Sequence, residues 1–227
     1  MEFKGLLNVS TPTIYRLLRF DPNISRKVLT NVQPGVEVFY RKLKPFYNGP
    51  AQLVFLDETS EDENTPAIVS LPFSRSERVS VLAAFGVSDF FAWDSTPGIF
   101  GRLRFHDVFR TKIAPYLNPW PLPRYIVVLN NAKIHMYREL EDMVHSAGSL
   151  LFFLPPYSPQ LSPIEVGFSL LKRWIPKNAA LAFRQDAKRT LSVSLTQRTK
   201  GSEGAGQNLY RYCAYDIQEL DPEMFFH

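Results

Sequence analysis

Three polar side chains stand where apolar stretches end. Asp57 closes QLVFLD (52–57), Asn130 closes YIVVLN (125–130), and Glu165 follows LPPYSP at the start of an amphipathic segment. Two carboxylates and an amide are oxygen donors of the kind that hard divalent cations take. Brought into one cleft, they could hold paired magnesium ions that activate an attacking oxygen and stabilise a leaving one during displacement at phosphorus. Each residue also has a plain reading. Asp57 by itself is a strand-end acid in solvent. Glu165 stands three residues after Ser162, so Ser162, Pro163 and Glu165 can form a capping box worth about 1 kcal/mol. Capping and metal binding compete for the same oxygens.

Other polar residues could support that chemistry. Glu58 reads as a loop acid with a supporting part, Asn131 as the cap of the turn after the second strand end, and His135 as a ring that orients a phosphate or is simply hydrogen-bonded near a helix start. Lys172, Arg173, Lys177, Arg184, Lys188 and Arg189 could track a nucleic-acid backbone by charge, or form a solvated helix face. Tyr157 and Ser158 shape a turn between prolines. Phe90, Phe91 and Trp93 fit either a core or a base-stacking surface.

The elements that must position these residues follow from periodicity. Ile14, Leu17 and Leu18 predict a short helix in STPTIYRLLR (10–19), and Val36, Val38, Phe39 and Leu43 predict another over 35–46. QLVFLD is a buried strand followed by an acidic loop from Glu58 to Pro66. Residues 78–84 and 87–93 form a hairpin around Gly86. Phe105, Phe109, Ile113 and Leu117 mark an amphipathic helix over 101–117, ended by NPWPLP (118–123). Tyr125 to Leu129 is a strand, Ile134 to Ala147 a helix, and Leu150 to Leu154 a strand stopped by Pro155 and Pro156. Ile164, Phe168, Leu171 and Ile175 stripe the helix opened by Ser162, and Asn208 to Leu220 is a last helix. Hairpin strands followed by parallel strands with helical crossovers describe an α/β fold, an RNase H-like mixed sheet with flanking helices, whose first and fourth strands are central neighbours.

Composition narrows the class. The 227 residues are 45% hydrophobic and 21% charged, which excludes disorder throughout. Net charge is +4, but by blocks it runs +5 (1–50), −6 (51–100), +3 (101–150), +6 (151–200) and −4 (201–227). The basic blocks suit a polyanionic partner. Cys213 has no partner for a disulfide, and the four histidines lack metal-ligand spacing. No apolar run approaches the roughly 20 residues of a membrane helix, and no signal-peptide core is seen, so neither a membrane nor secretion is expected.

FLDE (55–58), VLNNAKIH (128–135) and LPPYSPQLSPIE (154–165) resemble the signature blocks of mariner-type DDE transposases, and 34 residues separate Asn130 from Glu165, a spacing known in that superfamily. The resemblance spans about residues 50–175 and includes RVSVLAAFGVSDFF (78–91). STPTIYRLLR and ISRKVLT (24–30) resemble the end of the family's helix-turn-helix region and its linker. By position, the resemblance implies Asp57, Asn130 and Glu165 as catalytic metal ligands for Mg2+ or Mn2+ in a two-metal site. It implies DNA as partner, phosphodiester hydrolysis and strand transfer in intact relatives, no small-molecule cofactor, a homodimer as a compatible assembly, and a nuclear location if the source is eukaryotic, otherwise a cytoplasmic one.

Two departures qualify it. The family carries Asp where Asn130 stands; at an effective dielectric of 20, a missing unit charge about 4 Å from a divalent ion forfeits up to roughly 8 kcal/mol before rearrangement. Impaired activity is therefore expected. The DNA-binding region also reads as truncated, giving 1–48 as a helix-turn-helix remnant and linker, 49–176 as the RNase H-like domain, and 177–227 as a basic helical tail with a Gly/Ser linker. A catalytically dead DNA-binding or interaction protein derived from a transposase is the alternative, and a decayed relic a third.

Overall fold

The computed structural model describes residues 34–61, 79–178, 195 and 205–215. The expected helix at 10–19 and the basic stretch after Asn178 lie outside the described residues. Five strands, β1 (Leu53–Glu61), β2 (Val79–Gly86), β3 (Asp89–Pro97), β4 (Ile126–Leu129) and β5 (Leu150–Phe153), form one sheet in the order β3-β2-β1-β4-β5. The first three are antiparallel, and β4 and β5 add in parallel. β1 reaches beyond Asp57. Glu58, Thr59, Ser60 and Glu61 pair with Leu82, Val81, Ser80 and Val79, so the segment read as the start of an acidic loop is strand, held by a complete partner rather than by its own composition.

Alternation along β1 sorts the core into two layers. Leu53 and Phe55 face α1 (Pro34–Leu43), α4 (Pro163–Asn178) and α5 (Ala205–Tyr212); Val54 and Leu56 face α2 (Arg102–Val108) and α3 (Arg138–Ser146). Period two then puts Asp57 on the α4 side and Glu58 on the α2 side. The same count along β4 turns Asn130 toward the side of Val128, where Asp57 lies.

The predicted 101–117 helix is present in three pieces: α2, a π segment Phe109–Ile113 and a 3-10 turn Ala114–Tyr116. Steps of four residues overshoot a 3.6-residue turn by about 40°. The wider π turn takes up that overshoot, and Phe105, Phe109, Ile113 and Leu117 all stay buried. α3 begins at Arg138 rather than Ile134, because residues 132–136 are spent on a tight turn in which His135 and Met136 donate their N–H groups to Ala132 and Lys133. In α4, Ile164, Phe168 and Leu171 are buried as expected; the Ile175 side chain lies outside the described residues.

α5 starts three residues earlier than predicted and is integral to the α4-side layer. A Cβ on Gly206 would collide with the Val87 carbonyl, so the helix lies directly on the β2–β3 turn. The buried Tyr210 hydroxyl sits between the carbonyls of Leu53 (3.1 Å) and Phe85 (3.2 Å), joining the helix to two strands, and Tyr215 donates to Leu161 at 2.8 Å. Tyr210→Phe is expected to cost about 1 kcal/mol by leaving buried carbonyl acceptors less satisfied; a denaturant melt with unchanged slope and a lower midpoint checks it. Cys213 is buried and free.

Candidate active site

β1 and β4 run parallel with Leu56 opposite Leu129, which sets Asp57 beside Asn130. The Asn130 Nδ2 donates to Asp57 Oδ1 at 2.8 Å, and the Glu58 backbone N–H donates to the same oxygen at 2.8 Å. The other end of the amide is also occupied: Asn130 Oδ1 accepts the Ala132 N–H at 3.2 Å. Asn130, not Asn131, therefore caps the turn, and Asn131 is exposed.

Glu165 reaches the same point from α4. Its carboxylate lies close enough to that of Asp57 for the two charges to repel. The expected capping box is not formed, because the Ser162 N–H is already donated to the Pro159 carbonyl at 3.0 Å, while the Glu165 N–H goes to the Ser162 carbonyl. Asp57 is only 5% exposed, whereas Glu165 faces outward. Burial, then the neighbouring Glu165 carboxylate and then Glu58 hold the Asp57 carboxyl well above the usual carboxylate range; the Glu58 N–H pulls the other way and is outweighed.

Behind this pair, on the α2 side of β1, His135 is fully buried. Its Nε2 lies 2.9 Å from Glu58 Oε1 and its Nδ1 lies 3.3 Å from the Asn130 carbonyl. The two ring nitrogens each face an oxygen, one on β1 and one on the β4–α3 turn. The Phe105 ring packs against the imidazole with centroids 4.6 Å apart. The ring thus ties the end of β1 to the β4–α3 turn from inside the core, and has no open side for a phosphate. Period two already placed Glu58 on this face; only the turn geometry reveals that His135 meets it.

The remaining candidates separate. Lys172 Nζ donates to the Ser60 carbonyl at 3.3 Å, near the end of β1. Arg173 and Lys177 are on α4 with side chains outside the described residues, where Arg184, Lys188 and Arg189 also lie. Phe90 is core, stacked on Phe168, and Phe91 and Trp93 pack as half-buried residues against the two layers. Tyr157 adopts a left-handed φ of 56° and is exposed, while Ser158 Oγ donates to the Pro156 carbonyl. A cavity of about 430 Å³ lies elsewhere, walled by Gln52, Val87, Pro121, Arg211 and Tyr215 among others, and includes none of the three candidate ligands.

A family profile described as DDE superfamily endonuclease matches residues 60–188. The chain belongs to this family. The match contains Asn130, His135, Glu165 and the basic residues up to Lys188, with Asp57 and Glu58 just ahead of it. Among solved structures, the fold is similar to the Mos1 transposase catalytic domain with raltegravir and Mg, at a TM-score of 0.52 and 16% identity over 83% of this chain and 90% of that one. It is also similar to the Mos1 mariner transposase catalytic domain, at 0.50 and 16% over 79% and 85%. The Mos1 strand transfer complex follows at 0.50 and 15% over 82% and 59%. No curated protein matches in sequence. The sheet order and flanking helices are thus those of an RNase H-like catalytic domain.

The donor set of this DDE domain can be compared with what a divalent ion needs. Among the described residues no group of three or more His, Cys, Asp or Glu side chains is arranged to hold a metal. Asp57 and Glu165 are two adjacent carboxylates suited to one divalent cation. The Asn130 amide presents its N–H to Asp57 and its oxygen to Ala132, so it turns a donor toward the acid pair and adds no negative charge. The residues do not fit a two-metal site.

Proposed function

We propose that this domain binds DNA in the manner of DDE transposases and that its phosphodiester chemistry is severely impaired at Asn130. The orientation of the Asn130 amide carries this reading. A neutral donor stands at Asp57 Oδ1, and the lost carboxylate lowers the ligand charge from −3 to −2. A deficit of about 1.4 kcal/mol is already tenfold in rate. Asp57 and Glu165 would hold a single divalent ion, which when bound supplies charge neutralisation and Lewis-acid polarisation at a phosphate. The protein's own part is to hold those carboxylates in place through the Glu58–His135 pair and the β1–β4 register. DNA as partner is supported by the family and by the basic residues on and after α4. Mos1 has been solved as a strand transfer complex, and this reading carries a DNA partner over to the present chain.

The test is magnesium- or manganese-dependent nicking of duplex DNA. Wild-type protein is expected to bind DNA with a steep salt dependence and to nick it at most weakly. Robust turnover by the wild type, unchanged in Asn130→Asp, would remove the proposal.

A further inference from the structure

We infer that the surface around Arg102, formed by the β3–α2 loop, the first turn of α2 and the β4–α3 loop, is a DNA-contacting wedge in which exposed aliphatic side chains enter the base stack between two phosphate-binding cations. This deepens the DNA-binding reading proposed above and rests on it. Three large apolar side chains are presented here to solvent: Leu103 at 87% exposure, Ile99 at 69% and Met136 at 46%. A single exposed leucine means little. Three on two segments that are joined to each other form a shared feature.

Arg102 does the joining. Its Nη2 donates to the Lys133 carbonyl at 3.4 Å, and its guanidinium lies 5.2 Å from the centre of the Tyr137 ring. Ile99 and Leu103 flank Arg102 in the chain, and Met136 adjoins Tyr137. Lys133 belongs to the turn that begins at Asn130, so the surface borders the acid pair. Arg102 and Lys133 are exposed, and among the described residues neither forms an ion pair with a carboxylate. Arg104, by contrast, is neutralised by Asp94 and Asp107.

Cations available for phosphate, beside aliphatic groups that gain by leaving water, match a duplex whose backbone is anionic and whose base steps are apolar. A protein partner would call for carboxylates paired with these cations, and among the described residues Arg102 and Lys133 have none. In the wedge, Arg102 and Lys133 supply affinity and salt dependence, and Leu103 and Ile99 unstack a step next to the reacting phosphodiester.

The experiment uses the full chain and a short mixed-sequence duplex carrying 2-aminopurine, with anisotropy reporting binding and base fluorescence reporting unstacking. Wild-type protein is expected to bind and raise the fluorescence. Arg102→Ala with Lys133→Ala should weaken binding several-fold and lower the slope of log affinity against log salt by about 2, since each phosphate contact contributes about 0.9. Ile99→Ala with Leu103→Ala should keep the slope and lose most of the fluorescence rise. All four side chains are exposed, and unchanged melting temperatures will establish that the variants are folded. Duplex binding with slope and fluorescence untouched by either variant overturns the wedge alone. No duplex binding by the wild type overturns it together with the function proposed above, and loss of self-association in place of DNA binding in the apolar variant reassigns the surface to a second protein and overturns the wedge.

Discussion

Asn130→Asp is expected to raise metal-dependent nicking at least about a hundredfold over wild type, equivalent to about 2.7 kcal/mol at the transition state. The introduced carboxylate keeps the Ala132 N–H as a donor to one oxygen, because that bond is made to Oδ1, which both residues possess. It loses the N–H donated to Asp57 Oδ1 and places a third negative charge against a carboxyl that burial and Glu165 already hold well above its usual range. Without divalent ions the variant should therefore be less stable than wild type by about 2–4 kcal/mol. Magnesium should restore much of this: an ion at 100 times its dissociation constant adds about 2.7 kcal/mol to the folded state. Thermal melts in EDTA and in magnesium separate the two effects from catalysis itself. Both proteins should be stabilised by magnesium, the variant by more than the wild type because its third carboxylate relieves more repulsion on binding the ion. Equal melting shifts and equal nicking would show that the amide is not what limits the site.

The placement of Asp57 and Asn130 is legible from sequence because strand ends are legible: an apolar run stopped by a polar residue fixes both element and position. The parallel β1–β4 register and period-two alternation then bring Asp57 and Asn130 together with no further information. What escaped was decided by hydrogen bonds between residues distant in the chain or competing within a turn. The Ser162–Pro163–Glu165 pattern is a sound helix start, yet its reciprocal bond is absent because Pro159 lies one turn earlier and takes the Ser162 N–H. The same holds for the turn after β4, where either asparagine could cap and the register of β4 selects Asn130. Glu58 reads as a loop acid because an unbroken polar run from Glu58 to Thr65 follows Asp57; β2 supplies a ladder partner for each residue to Glu61 and overrides that composition. His135 lies 77 residues from Glu58, and no local signal announces their contact.

Asp57→Asn should move stability in the opposite direction to its effect on metal binding. In the wild type, the Asp57 carboxyl is raised in the folded state above its unfolded value, so its protonated form favours folding. That contribution is complete below the unfolded carboxylate range near pH 4 and is lost as pH rises through the raised folded value. Above the unfolded range, burial and the Glu165 carboxylate oppose the charged form, with two N–H donors as partial compensation. The amide replacement keeps its Oδ1 as acceptor for Asn130 Nδ2 and the Glu58 N–H, removes the repulsion, and gives Glu165 an N–H to accept from. Replacing buried charge in this way is worth about 1–4 kcal/mol where packing is kept. The variant should thus be more stable than wild type at pH 7 in EDTA, and the difference should shrink steadily as pH falls, with both proteins losing stability to other causes in acid. Magnesium should narrow the gap from the other side, by stabilising only the wild type. A melting temperature for Asp57→Asn at or below that of wild type at pH 7, or an advantage that grows on acidification, would mean that Asp57 is compensated by its surroundings. The acid pair would then impose no strain for a cation to relieve.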